Sequence, residues 1–233
     1  DASSSEEINS IMSEAREVSD ENNGGNSGEN PIIDSIPKKD DEKVNNAKND
    51  IQNDIAISNE AAQDLTNAEL SGAVGDAFLD KLNQERREQG RGDLAMTEDE
   101  HGVEFGHIRA VTVMYNGVEH DAPGGLPSDG KPGAPIYEDG DTQFVGYENI
   151  SQSYIPKSQI NSDEDLANAI ADAMFQQYIE EKRNAALGNP LQPGDSQNPG
   201  HYNNLVMGDT DETLNIGVYV VDMGDYYVVT TYV

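Results

Sequence analysis

The sequence predicts an α/β domain in which helices cover both faces of a sheet, and three observations carry that expectation. Amphipathic stretches with capping residues in front, and glycine or basic residues behind, recur between residues 72 and 188. Residues 213–233 alternate and then run apolar on both faces around Asp222-Met223-Gly224-Asp225, as in a hairpin buried on both sides. A chain of 233 residues that is 35% apolar suffices for one well-cored domain with an appendage, or for two small domains.

Composition changes near residue 70. Residues 1–70 read as an acidic leader, partly helical or disordered, in which 17 acidic residues stand against 5 basic ones. Residues 18–43 are rich in Asn, Gly, Ser, Pro and charge, with too little apolar surface to offset the entropy of ordering them, and read as linker. Val44, Ala47, Ile51, Ile55, Ala62 and Leu65 fall at near-helical spacing and predict a short amphipathic helix over 41–65, which must dock or fray. Its reading is a spacer or a partner-binding helix.

From residue 71 to 233 the signals are regular and predict one domain. Phe78, Leu79 and Leu82 form the apolar face of a helix that Gly90 stops. Thr97 followed by Glu98, Asp99 and Glu100 predicts a capping box and a second helix to about Tyr115. A third opens at Ser162 with three acidic residues, turns Leu166, Ala169, Ile170 and Ala173 inward, and ends with Lys182, Arg183 and Gly188. Leu214, Ile216, Val218 and Val220 then alternate with Gly217, Tyr219 and Val221 to begin the hairpin.

The net charge of −31 makes nucleic acids and anionic lipid surfaces poor partners, since both are repelled. Cations are the natural counterparts, although solubility is the plainer reason for such a charge. No run of eighteen apolar residues is present, so direct membrane insertion is not expected. Zero cysteines exclude disulfides, thiolate metal sites and a cysteine nucleophile. The chain starts "DASSSEEINS", without a start methionine or a signal core, and an export signal removed beforehand is the expected history.

Four segments carry a family resemblance. "LNQERREQGRGDL" resembles an opening Leu-Asn-x-x-Arg helix, and "HIRAVTVMYNGVEHDAPGG" a second helix with a following histidine. "GYENI" resembles a Gly-x-Glu-Asn signature strand, and "NPGHYNNLVMGDTDETLNIGVYVV" a Gly-His-x-x-Asn helix and strand. In this order they resemble the CAP superfamily (cysteine-rich secretory proteins, antigen 5, pathogenesis-related 1; SCP-like), in its bacterial secreted branch, over roughly residues 72 to 233.

The resemblance implies a three-layer α-β-α sandwich, an extracellular or cell-surface location, and a cleft gathering two histidines and two glutamates. By position these are His120, Glu148 and His201; the fourth is missing, because "MFQQYIEEK" puts Gln177 where the family often has glutamate. Two imidazoles and a carboxylate suit a divalent cation with an open position, zinc first and calcium or magnesium second. Equally, His120, Glu148 and His201 make a hydrogen-bonded network that fixes three loops, with Asn149 and Asn204 holding backbone. In either case Gly200 lets the chain turn into a helix start that delivers His201, with Leu205 anchoring behind. Tyr147, Tyr154 and Tyr202 are the aromatic residues expected nearby.

His101, Glu104 and His107 look like a metal motif, but positions i and i+6 lie about 240° apart on a helix. His107 shares a stripe with Val103, Ala110, Val111 and Met114 and reads as a core histidine, His101 as first-turn surface. The glycine-rich 121–135 stretch reads as a loop, and the acidic turns at 139–142 and 208–212 as solvated; the Asn149 glycosylation triplet sits in a strand expected to be buried. Zinc-protease, serine-elbow and phosphate-loop motifs are absent. Three functions follow. The first is a non-catalytic module binding a cell-wall, lipid or protein ligand. The second is a metal-assisted hydrolase, peptidase or esterase, with Glu148 as ligand or base, and the third a structural surface spacer.

Overall fold

The computed structural model describes residues 30–53, 57, 59–118, 148–188, 200–208 and 213–233. The chain divides into Asp1–Asn30 and Pro31–Val233, and the second unit carries every element below. The mix of helices and sheet read from the sequence is present.

Each principal helix begins where a side chain satisfies free amide groups. After α1 (Pro31–Ser35), α2 (Glu42–Gln52) starts behind Asp41, which accepts from the Lys43 N–H. Following α3 (Asn59–Leu65), α4 (Ala68–Glu88) starts behind Asn67, which accepts from the Leu70 N–H at 3.0 Å, and it ends ahead of Gly90 at φ +71°. β1 (Ala95–Met96) leads to α5 (Glu100–Asn116), capped by Asp99 through the Gly102 N–H.

The expected cap at Thr97 is thus moved two residues on. The Thr97 N–H is already taken by the Leu214 carbonyl at 2.7 Å, which keeps the chain extended there. β2 (Ile150–Pro156) precedes α6 (Asp163–Phe175), whose cap is Ser162 as expected. A π-helical turn, Gln176–Glu180, then interrupts the long third helix before it resumes as α7 (Glu181–Ala186) and stops at Gly188, φ +84°.

After α8 (Gly200–Tyr202) and a second π turn, Asn203–Met207, come β3 (Thr213–Leu214), β4 (Gly217–Asp222) and β5 (Tyr226–Tyr232). β1 and β3 pair in parallel, and β2-β5-β4 form an antiparallel sheet. The β4–β5 hairpin is the expected one: Gly224 takes φ +101°, and its N–H donates to the Asp222 carboxylate at 2.8 Å. Register pairs Ser151 with Thr231 and Val218 with Thr231, so β5 is central.

Both faces of the sheet are covered. Val218, Val220 and Val229 pack with Leu70, Val74 and Phe78 of α4 and Leu166 and Ile170 of α6. On the opposite face Tyr219 and Val221 pack with Ile108 and Val111 of α5. Beside them Phe105, Val113, Ile150 and Tyr232 make a small third cluster.

Residues 31–65 share these cores. Ile32 and Ile36 belong to the α4–α6 side, while Val44, Ala47, Ile51, Ala62 and Leu65 belong to the α5 side. The linker expected over 18–43 is therefore helical and docked at Pro31–Ser35, its remainder up to residue 29 lying outside the described residues. The single helix expected over 41–65 is two, α2 and α3, and Ile55 lies outside the described residues. Between α1 and α2, Lys38 bridges to Asp222: Pro37 accepts from the Asp222 N–H at 2.9 Å, and the Lys39 N–H donates to the Asp222 carbonyl at 3.0 Å.

α5 crosses β4 with almost no gap. A Cβ placed on Gly217 would fall on the carbonyl of Gly106, and one on Gly106 would come within 2.9 Å of the Asn215 side chain. Glycine at both positions allows helix and strand backbones to touch. Asn215 fastens the crossing by donating to the Gly102 carbonyl.

Candidate functional site

Glu148 and Asn149 are the two residues immediately before β2, and Asn149 already pairs with the C-terminus. The Asn149 amide donates to the Val233 carbonyl at 2.8 Å and its own carbonyl accepts from Val233 at 2.8 Å. Its side chain, 2% exposed, also reaches the Val233 carbonyl, at 3.3 Å. That burial agrees with setting aside the glycosylation triplet.

Glu148 is engaged from the α5 side. Arg109 donates from Nε to one carboxylate oxygen at 2.9 Å and from its terminal nitrogen to the other at 2.8 Å, and both side chains are almost wholly buried. A bidentate pair of this kind fixes the plane of the carboxylate as well as its position. Burial pushes the nearby Tyr232 phenol up, the Glu148 charge adds to that, and Arg109 opposes it.

On the α6 side, the first π turn sends Tyr178 inward and Gln177 outward. Tyr178 is fully buried, its hydroxyl bonded to Thr231 at 3.0 Å, and Thr231 is bonded in turn to Ser151 at 2.7 Å. Burial drives its phenol well above the usual tyrosine range, and the charge of Glu148 pushes the same way. His201 lies edge-on to the Tyr178 ring, with centroids 5.1 Å apart. The first π turn, a geometry often found at functional sites, is thus set through a tyrosine and a histidine against α8, the helical turn that leads into the second.

Some of the expected residues are brought together. Asn204, in the turn that follows His201, donates to Asn149 at 3.5 Å, so the His201 turn and the Glu148 strand entrance meet through their asparagines. Gly200 opens the helical turn and Leu205 is buried behind it, as expected. Gln177 is exposed and donates to Ser153 at 2.8 Å, on β2. His120 and Tyr147 lie outside the described residues, as do the loop at 121–135, the acidic turn at 139–142 and all but the first residue of 208–212. Tyr154 is exposed and packs on Tyr226 at 5.9 Å, whereas Tyr202 is half-buried.

Among the described residues, no three His, Asp or Glu side chains converge as a metal-binding set. No helix of the described residues is long and apolar enough to cross a membrane. His107 is buried, as expected, and burial lowers its pKa while the Glu104 charge opposes this. His101 falls in the first turn of α5.

Arg109 is the residue that sequence reasoning missed. Its signal was present: a lone cation between Ile108 and Ala110, inside the apolar stretch from Val103 to Met114, must find a buried acceptor. Tyr178, Thr231 and Ser151 carried no such flag, because tyrosine and hydroxyl residues are ordinary occupants of a covered sheet. No family model, curated protein or solved structure matches the chain.

Proposed function

We propose that the chain carries a CAP-like three-layer α-β-α sandwich and acts outside the cell as a non-catalytic binding module. Helices α4 and α6 on one side of the hairpin sheet and α5 on the other support the sandwich. The ligand is a cell-wall, lipid or protein component, neutral or cationic at its contact surface, because a net charge of −31 repels anionic ones.

One observation carries the non-catalytic reading: both oxygens of Glu148 accept hydrogen bonds from Arg109 in a buried pair. A general base or metal ligand needs a carboxylate turned to its substrate or ion. Here a guanidinium puts its positive charge where a dication would gather, so Glu148 does not fit a zinc site. Glu148, Asn149, Asn204 and His201 are better read as a network that holds the His201 turn against the start of β2, giving a ligand a pre-formed surface.

Elemental analysis of protein purified without an affinity metal, followed by titration with zinc, calcium and magnesium at neutral pH, tests this. The expected result is no stoichiometric metal and no ester or peptide turnover. About one zinc per chain, lost on His201→Ala, overturns the reading in favour of a metal-assisted hydrolase.

A further inference from the structure

The Leu82-Asn83-x-x-Arg86 segment of α4 reaches the turn that follows His201. Arg86 is fully buried and donates to four backbone carbonyls: Gly92 at 2.7 Å, Leu205 at 2.6 Å, Val206 at 3.2 Å and Gly208 at 3.3 Å. Three of these lie at the carbonyl end of the π turn that follows His201, where a cation is electrostatically favoured. Glu85, the preceding residue and 3% exposed, accepts from the Tyr202 hydroxyl at 3.0 Å. Asn83 exchanges two hydrogen bonds with the Leu94 backbone, at 2.9 and 2.8 Å, which fixes the loop containing Gly92.

We propose that Glu85 and Arg86 are positioning residues for His201. Glu85 holds the residue immediately after the histidine, and Arg86 holds the far end of the turn that follows it, so the backbone leaving His201 is pinned at both ends of residues 202–208. A merely structural role for this face of α4 is already filled by Leu70, Val74, Phe78 and Leu82, which bury the helix without any charge. Burying a guanidinium is costly unless its donors are well used, and only an arginine fork reaches several carbonyls at once. The inference rests on reading the His201 face as the ligand surface.

The test is histidine NMR on the full chain, with the four imidazoles assigned by single His→Gln variants. Arg86→Gln is expected to move the His201 ring resonances, since the Tyr178 contact is disturbed, while the His107 resonances stay in place. Arg86→Lys is expected to give an intermediate displacement, restoring charge without the fork. Tyr202→Phe removes only the bond to Glu85 and covers the case in which Arg86→Gln does not fold; it too is expected to shift His201 alone. An unmoved His201 in Tyr202→Phe, or equal movement of His107 and His201 in either variant, overturns the proposal. Ligand binding does not enter these spectra, so a positioned His201 in a chain that captures no ligand counts against the binding reading alone.

Discussion

Arg109 and Glu148 sit 39 residues apart in the chain and meet in a two-pronged ion pair shielded from water, with 0% and 2% of their side chains exposed. Removing one partner strands the other charge in the interior, at a cost of about 3–5 kcal/mol. Arg109→Met and Glu148→Leu are each expected to lower the urea-unfolding free energy by that much. The double variant is expected to recover most of the loss, because two apolar groups replace two charges. A double variant as unstable as the sum of the singles would show that the two residues act separately.

The contact between Gly106 and Gly217 leaves no room for a methyl group on the strand. Gly217→Ala must therefore push α5 away from β4, and a loss of about 3 kcal/mol is expected. For a chain of this size that corresponds to a fall in Tm of roughly 6–12 °C. Gly90→Ala, at a site with open space but φ +71°, is expected to cost less, about 1 kcal/mol. Thermal unfolding followed by circular dichroism ranks the two, and the reverse order contradicts the close approach.

His107 is buried with its Nε2 lacking a hydrogen-bond partner among the described residues, and burial holds its pKa below the ordinary value. The folded state therefore resists a proton that the unfolded chain accepts near pH 6.5. Stability is full above that pH and is lost as the pH falls from there towards the lower folded value. His107→Leu is expected to flatten the change in unfolding free energy between pH 7.5 and 5.5, and to add about 1 kcal/mol by removing an unsatisfied polar group. An unchanged slope in the variant assigns the proton uptake to other groups.

Asp163 accepts from the amides of Ile32 at 3.0 Å and Ile33 at 2.9 Å, so a carboxylate at the start of α6 secures the first turn of α1. Asp163→Ala is expected to loosen this turn by about 1–2 kcal/mol without unfolding the sheet. Hydrogen exchange at the two isoleucine amides is the measurement: faster exchange there, with Val229 unchanged, is the expected pattern.

What was legible in the sequence was local. Gly90, Ser162 and Asp222-Met223-Gly224-Asp225 each act within a few residues, and each sits where the pattern put it. Thr97 is not the cap: its hydroxyl accepts from the Asp99 N–H at 3.2 Å, and its own amide pairs with Leu214, a partner 117 positions away that no local motif reveals. The docking of Ile32 was hidden for the same reason: a polar, charged stretch looks like linker until the surface it covers is known, whereas the apolar stripe of Val44 and Leu65 was legible and only the surface it docks on was not. Glu148 and His201 were found through a resemblance. Their actual partners, Arg109 and Tyr178, are products of packing, and the π turn that aims Tyr178 inward has no periodic signature.

Because Pro37 and Lys39 take up both backbone hydrogen bonds of Asp222, the outer rim of β4 is shut to an incoming strand at its hairpin end. A chain trimmed at residue 70 loses that seal, and with it the apolar lid over Tyr219 and Val221. It would free the N–H and C=O of Asp222 beside an apolar flank, a combination that favours the addition of a foreign strand. The described residues of 31–65 thus cover an edge and a flank of the sheet that a shortened chain would expose.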